Sequence, residues 1–262
     1  MRALSHWPRA VRGALIGVFT DIDDTLTTEG AISPDALRAL AALKAAGLRM
    51  VAVTGRPVGW SEPFAAAWPV DSIVAENGAV ALVPAPGGGL VKRYQQDAET
   101  RARNFARMGA VLDRIEREIP GARRATDSAG RECDIAIDHS EFVQLDDARI
   151  AAVVALMRGE GMHATVSSIH VNGWYGEHNK LEGARWIVRE LWCRTLADEM
   201  DRWAYVGDST NDQAMFGHFP VSVGVANLMQ FADRLHTWPA YLALGSRGQG
   251  FAEVVRMLCR SR

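Results

Sequence analysis

"GVFTDIDDTLTTEG", residues 17–30, decides the fold. Its apolar start extends back to Leu15 and ends in three carboxylates, Asp21, Asp23 and Asp24. A short apolar run of this kind reads as a buried strand, and like charges crowded at its tip repel one another and resist desolvation. The chain therefore needs something there that compensates them.

Moving outward, short apolar runs alternate with helical periodicity. "LIGVF" (15–19) is followed by the helix "SPDALRALAALKAAG" (33–47), the strand "RMVAV" (49–53), a helical stretch near 61–67, and the strands "SIVAE" (72–76) and "AVALV" (79–83). Ser33 before Pro34 reads as an N-cap with proline at the first helical position, and Gly47 as a stop. This spacing implies βαβ units and a parallel sheet. "PAPGGG" (84–89) lacks a following GK[ST] and is not GxGxxG, so it reads as a hairpin turn or a domain border rather than a phosphate loop.

Beyond it, residues 98–119 put Phe105, Met108, Leu112, Ile115 and Ile119 on one stripe. "ECDIAID" (132–138) alternates, with Cys133, Ile135 and Ile137 on one face and Asp134 and Asp138 on the other, which predicts a half-solvated strand. A helix in "LDDARIAAVVALMRGEG" (145–161) and a strand region in "ATVSSIHV" (164–171) complete a small α+β module. The doubly wound pattern resumes with "LEGARWIVRELW" (181–192), "WAYVG" (203–207), a helix after "STNDQAMF" and the strand "VSVGVAN" (221–227). The expected fold is α/β: a doubly wound, Rossmann-like core, residues 1–84 plus 173–262, carrying an inserted α+β cap, residues 85–172.

Composition narrows the function. With 262 residues, 48% of them hydrophobic, the chain can bury a large core. A net charge near −2 without a long basic block argues against nucleic acid. "GALIGVF" (13–19) is too short to span a bilayer and runs into acids, so no membrane association is expected. The three cysteines, Cys133, Cys193 and Cys259, are widely spaced, which fits a reducing, cytoplasmic setting better than disulfides or zinc.

Open parallel sheets bind ligands at the carboxyl ends of their strands. Three such ends carry polar residues: Asp21 and Asp23, Thr54, and Asp208 with Asn211 and Asp212. If they converge, the repulsion calls for a cation, and an all-oxygen set suits Mg²⁺. An EF-hand loop is ruled out because its sixth position would be glycine and here is Leu26. Only three of 29 basic residues are lysine, Lys44, Lys92 and Lys180, and Lys180 opens a helix where the dipole disfavours a cation. That placement points to a compact charge set beside an anion.

"DIDDTLT", "VTGRP", Lys180 and "VGDSTND", in that order, resemble the four motifs of the haloacid dehalogenase superfamily of phosphohydrolases. With "ENGA" (76–79), "VGVAN" (223–227) and the module's position, the layout resembles the type IIB cap subfamily, which includes Cof-like, sucrose-phosphate, trehalose-phosphate and mannosyl-phosphoglycerate phosphatases. The resemblance implies an Mg²⁺-dependent phosphatase in which Asp21 is the nucleophile and Asp23 the acid and base. It further implies Asp21, Asp208 and the Asp23 carbonyl at the metal, with Asp212 or Asn211 in support, and Thr54 and Lys180 on the phosphoryl oxygens beside Gly55 and Arg56 of the same turn. Asn77, Arg131, His170, Asn172 and His178 are candidates for contact with a small phosphorylated metabolite, and Trp174 and Tyr175 could stack on a sugar ring. Phosphomannomutase-type transfer and a non-catalytic metal-binding regulator are the alternatives.

Overall fold

The computed structural model describes residues 1–260. Its central sheet has nine strands in the order Arg2–Ala3, Tyr241–Leu242, Val221–Gly224, Trp203–Gly207, Gly17–Thr20, Arg49–Val53, Ser72–Ala75, Val80–Pro84, Leu90–Tyr94. Neighbours are parallel as far as Ser72–Ala75, and the last two strands are antiparallel. Leu90–Tyr94 lies within the expected 85–172 insert yet pairs with the core sheet, and 84–89 is the hairpin turn before it.

Both faces of the sheet are covered. Val18, Met50, Ile73 and Val206 pack towards the helices Pro34–Ala45, Val58–Ala67 and Arg247–Cys259. Their sequence neighbours Phe19, Val51, Val74 and Tyr205 pack towards Lys180–Trp192 and Gln213–His218. This period of two explains why these runs are apolar without alternation. Ser33 caps Pro34–Ala45, its Oγ accepting from Ala36 N at 3.1 Å.

The cap is a four-stranded antiparallel sheet in the order His163–Val166, His170–Trp174, Ile135–Asp138, Arg123–Arg124. Helices Ala98–Glu118 and Asp147–Gly159 bury Met108, Ile115, Val153 and Met157 against it. Phe105 leaves the expected stripe and is 46% exposed, while Asn104 and Val111 turn inward. The larger departure is at "ECDIAID". Asp134 and Asp138 are buried, not solvated: Asp134 faces the core, where Asn77 donates to it, and Asp138 is enclosed by the turn whose amides at Ser140, Glu141 and Phe142 donate to it.

Candidate active site

The central pairing explains why distant segments meet. Thr20 lies opposite Val206 and Ala52, so Asp21, Asp208 and Thr54 emerge at the same edge of three adjacent strands. Lys180 arrives from the other side of the sheet. Its helix begins at Asn179, whose Oδ1 accepts from Leu181 N and Glu182 N at 2.9 and 3.0 Å. The helix comes this close because Gly183 packs on Gly78, where an added Cβ would lie 2.6 Å from the Gly78 Cα. Gly78 itself has φ +107°, a conformation that favours glycine.

Lys180 Nζ donates to Asp21 Oδ1 at 2.8 Å, to Asp212 Oδ1 at 2.7 Å and to Asn211 Oδ1 at 3.3 Å. Carboxylate oxygens of Asp21, Asp208 and Asp212 all lie within 4.8 Å of one another. Thr25 and Asn227 donate to the two Asp208 oxygens at 3.3 and 3.0 Å. Asp212 is saturated: Oδ1 takes Lys180 and the Tyr205 hydroxyl, and Oδ2 takes the amides of Asp208 and Ser209. It therefore braces the cluster, leaving Asp21 and Asp208 as the oxygens open to a ligand.

Burial disfavours charge throughout this cluster. It pushes Asp21 up to about 7, with Lys180 pulling back and Asp212 and Asp23 pushing further. Asp208 is driven well above the usual carboxylate range by burial and by Asp21 and Asp212. Burial also opposes the Lys180 charge, but Asp21 and Asp212 outweigh it and hold the ammonium above the ordinary lysine range. With all three carboxylates ionised, one ammonium would leave two negative charges unbalanced, which is why burial and mutual repulsion favour the protonated forms of Asp21 and Asp208 when no cation is bound. A hard divalent cation with oxygen ligands fits this donor set, because it would supply the missing charge and could be held by carboxylate oxygens of Asp21 and Asp208.

Asp23 faces a second network, which joins core to cap. Arg56 Nε donates to both Asp23 oxygens at 2.9 and 3.1 Å, while its terminal nitrogens reach Asp127 Oδ2 at 3.2 Å and Glu141 Oε1 at 2.7 Å. His170 Nε2 lies 2.8 Å from Glu141 Oε2. Arg56 is thus occupied by protein carboxylates. Thr54 Oγ accepts from Arg56 N at 3.0 Å and fixes the same turn. Asp24, at φ +54°, pairs with Arg247 and serves the turn.

Burial alone would raise the Glu141 carboxyl, but hydrogen bonds from His170 and Arg56 prevail and hold it at about 2 against an ordinary 4.5. The folded value lies below the unfolded one, so this stabilisation is complete above pH 4.5 and disappears as pH falls towards 2. Urea unfolding measured between those limits should show stability falling with acid, and Glu141→Gln should flatten that limb. An unchanged acid limb in the variant would contradict the role of this network.

Several candidate residues are placed differently. Arg131 donates to Asp134 Oδ1 at 2.7 Å, Gly55 O at 3.0 Å and Asp127 Oδ1 at 3.1 Å. Asn77 and Asn172 both donate to Asp134 Oδ2 at 3.2 Å. Arg131 and Asn77 therefore dock the cap on the core, whereas Gly55, His170, Asn172 and Asn211 line a cavity of about 10 Å³ against Asp21 and Asp23. That is room for roughly one water molecule. His178 stands apart, stacked on Trp174 with ring centroids 5.6 Å apart, and burial lowers it to about 4. Tyr175 packs in the cap core.

The sequence reading gave no role to Glu76, Asp127, Asp134, Glu141, Tyr205 or Asn227. Glu76 is fully buried, and its carboxylate accepts from the amides of Val58 in the core and of Glu132, Cys133 and Asp134 in the cap. One signal was available: Glu76 opens "ENGA", and an acid directly after an apolar strand needs donors from elsewhere.

The site is a lysine-braced carboxylate cluster at the carboxyl ends of a doubly wound sheet, covered by an inserted cap. Residues 18–102, which hold "DIDDTLT" and "VTGRP", match the family of haloacid dehalogenase-like hydrolases, in line with the resemblance read from those motifs. No curated protein matches the chain by sequence.

Solved structures carry the fold over nearly its whole length. A Thermoplasma acidophilum protein is 17% identical with a TM-score of 0.70, the match covering 93% of this chain and 98% of that one. The sucrose-phosphatase of Synechocystis sp. PCC6803, solved with sucrose and phosphate, is 16% identical with a TM-score of 0.65, covering 93% and 97%. The C-terminal domain of trehalose-6-phosphate phosphatase from C. albicans is 14% identical with a TM-score of 0.66, covering 96% and 95%. At these identities the likeness speaks for the fold.

Proposed function

We propose that the protein is an Mg²⁺-dependent phosphomonoesterase acting on a small phosphorylated metabolite, a sugar phosphate or phosphoglycerate derivative. The observation that carries this reading is the Lys180 ammonium held 2.8 Å from Asp21 and 2.7 Å from Asp212, with Asp208 in the same cluster. An uncompensated, all-oxygen site with one fixed cation is suited to a metal and a phosphoryl group together. The phosphatases among the structural neighbours act on esters of this kind, which supports the same reading.

In this reading Asp21 Oδ attacks phosphorus while the bond to the ester oxygen breaks, and Asp23 gives the departing alcohol its proton. Water then attacks the aspartyl-phosphate, passing a proton back to Asp23 and releasing inorganic phosphate and the Asp21 carboxylate. Lys180 and Thr54 stabilise the equatorial oxygens, where catalysis is chiefly positioning and electrostatics. Arg56 holds Asp23 in place. Asp21, Asp208 and the Asp23 carbonyl would hold the metal, which would supply positive charge to reduce the repulsion between phosphoryl group and nucleophile. The cap must lift for substrate to enter, since the closed cavity at Asp21 has room for little more than water.

The reading is tested by assaying phosphomonoesters with Mg²⁺ and with EDTA. Chelation is expected to abolish turnover and to lower the unfolding temperature, because the buried carboxylates lose their counter-ion. Full activity in EDTA would contradict the reading.

A further inference from the structure

Asp23 lines two cavities. The small one reaches Asp21, and the other, about 370 Å³, opens on the far side of Asp23 and Arg56, between the 24–30 turn and the 140–142 turn of the cap. A leaving oxygen beside Asp23 puts the rest of the alcohol in this second cavity, whose volume is in the ordinary range for a small-molecule site.

The charges in its wall do not balance. Four are acids, Asp23, Asp24, Glu29 and Glu141, against the guanidiniums of Arg56 and Arg247. Both cations are already engaged: Arg56 with Asp23, Asp127 and Glu141, and Arg247 Nε with Asp24 Oδ1 at 2.9 Å. Glu29, exposed on the turn, makes no hydrogen bond or ion pair among the described residues. At the mouth, the Phe142 ring is 72% exposed, presented by a turn in which Asp138 Oδ2 accepts from Phe142 N at 2.9 Å. It offers an apolar platform beside polar walls, which suits the carbon face of a sugar.

We propose that this cavity selects phosphomonoesters whose leaving group is an uncharged, sugar-sized polyol and discriminates against anionic ones such as phosphoglycerate derivatives. The inference rests on the phosphomonoesterase reading and narrows it. A second anion on the leaving group meets carboxylates and no uncommitted cation, and like-charge juxtaposition is among the strongest sources of rejection.

The test uses a pair differing in one group, sorbitol 6-phosphate and 6-phosphogluconate, with p-nitrophenyl phosphate alongside. The expected result is kcat/KM for the gluconate ester lower on the order of tenfold or more. That gap should narrow several-fold in Glu29→Gln and at high salt. Equal or better turnover of 6-phosphogluconate, or a gap that Glu29→Gln leaves unchanged, overturns the inference, as does hydrolysis of p-nitrophenyl phosphate with neither sugar ester accepted. Failure to hydrolyse any of the three removes the phosphomonoesterase reading and this inference with it.

Discussion

Replacing Asp21 with asparagine is expected to lower kcat by on the order of 10⁴-fold or more, since an amide oxygen cannot form the acyl phosphate on which both half-reactions depend. The fold should survive the change. Lys180 keeps its bonds to Asp212 and Asn211, and a neutral amide removes one of three mutually repelling carboxylates. Acid-quenched enzyme exposed to radiolabelled substrate should carry label in the parent protein and none in the variant. Labelled protein from Asp21→Asn, or turnover within tenfold of the parent, would place the nucleophile elsewhere.

Lys180→Ala attacks the same cluster from the opposite side. It leaves Asp21 and Asp212 buried without their ammonium, and breaking a buried pair by removing one partner costs about 3–5 kcal/mol. Loss of a fixed positive charge at the phosphoryl oxygens should also lower kcat by roughly 10²–10³-fold. The two effects separate experimentally. Mg²⁺ should restore part of the stability in urea, because it neutralises the orphaned carboxylates, but it cannot restore the activity. A variant destabilised by less than about 1 kcal/mol would mean that the cluster is better solvated than its burial implies.

The two variants also mark which parts of the site were legible in the sequence. Asp21, Asp208 and Lys180 could be found because their segments are self-identifying: apolar runs ending in acids, and a rare lysine at a helix start where it is electrostatically misplaced. The same local logic located the inner strands of the core sheet and the turn at 84–89, but not the outer strands Leu90–Tyr94 and Tyr241–Leu242. It failed where a residue's role depends on what covers it. Arg56 sits in a glycine turn and reads as a phosphate ligand, yet in the folded chain it bridges Asp23 to Asp127 and Glu141, residues 71 and 85 positions further on. Asn77 and Arg131 likewise read as substrate contacts, and in the folded chain both hydrogen-bond to Asp134.

Strand periodicity set which residues of the core sheet share a face, and strand-end chemistry pointed to the residues that cluster around Lys180; both are properties of a few consecutive residues. Whether the polar face of "ECDIAID" meets water or the core was decided only by tertiary structure. Asp138 is buried by its own turn, whose amides at Ser140, Glu141 and Phe142 it accepts, but burial of Asp134 depends on the core layer that brings Asn77 against it, and no local pattern encodes the surface that arrives opposite.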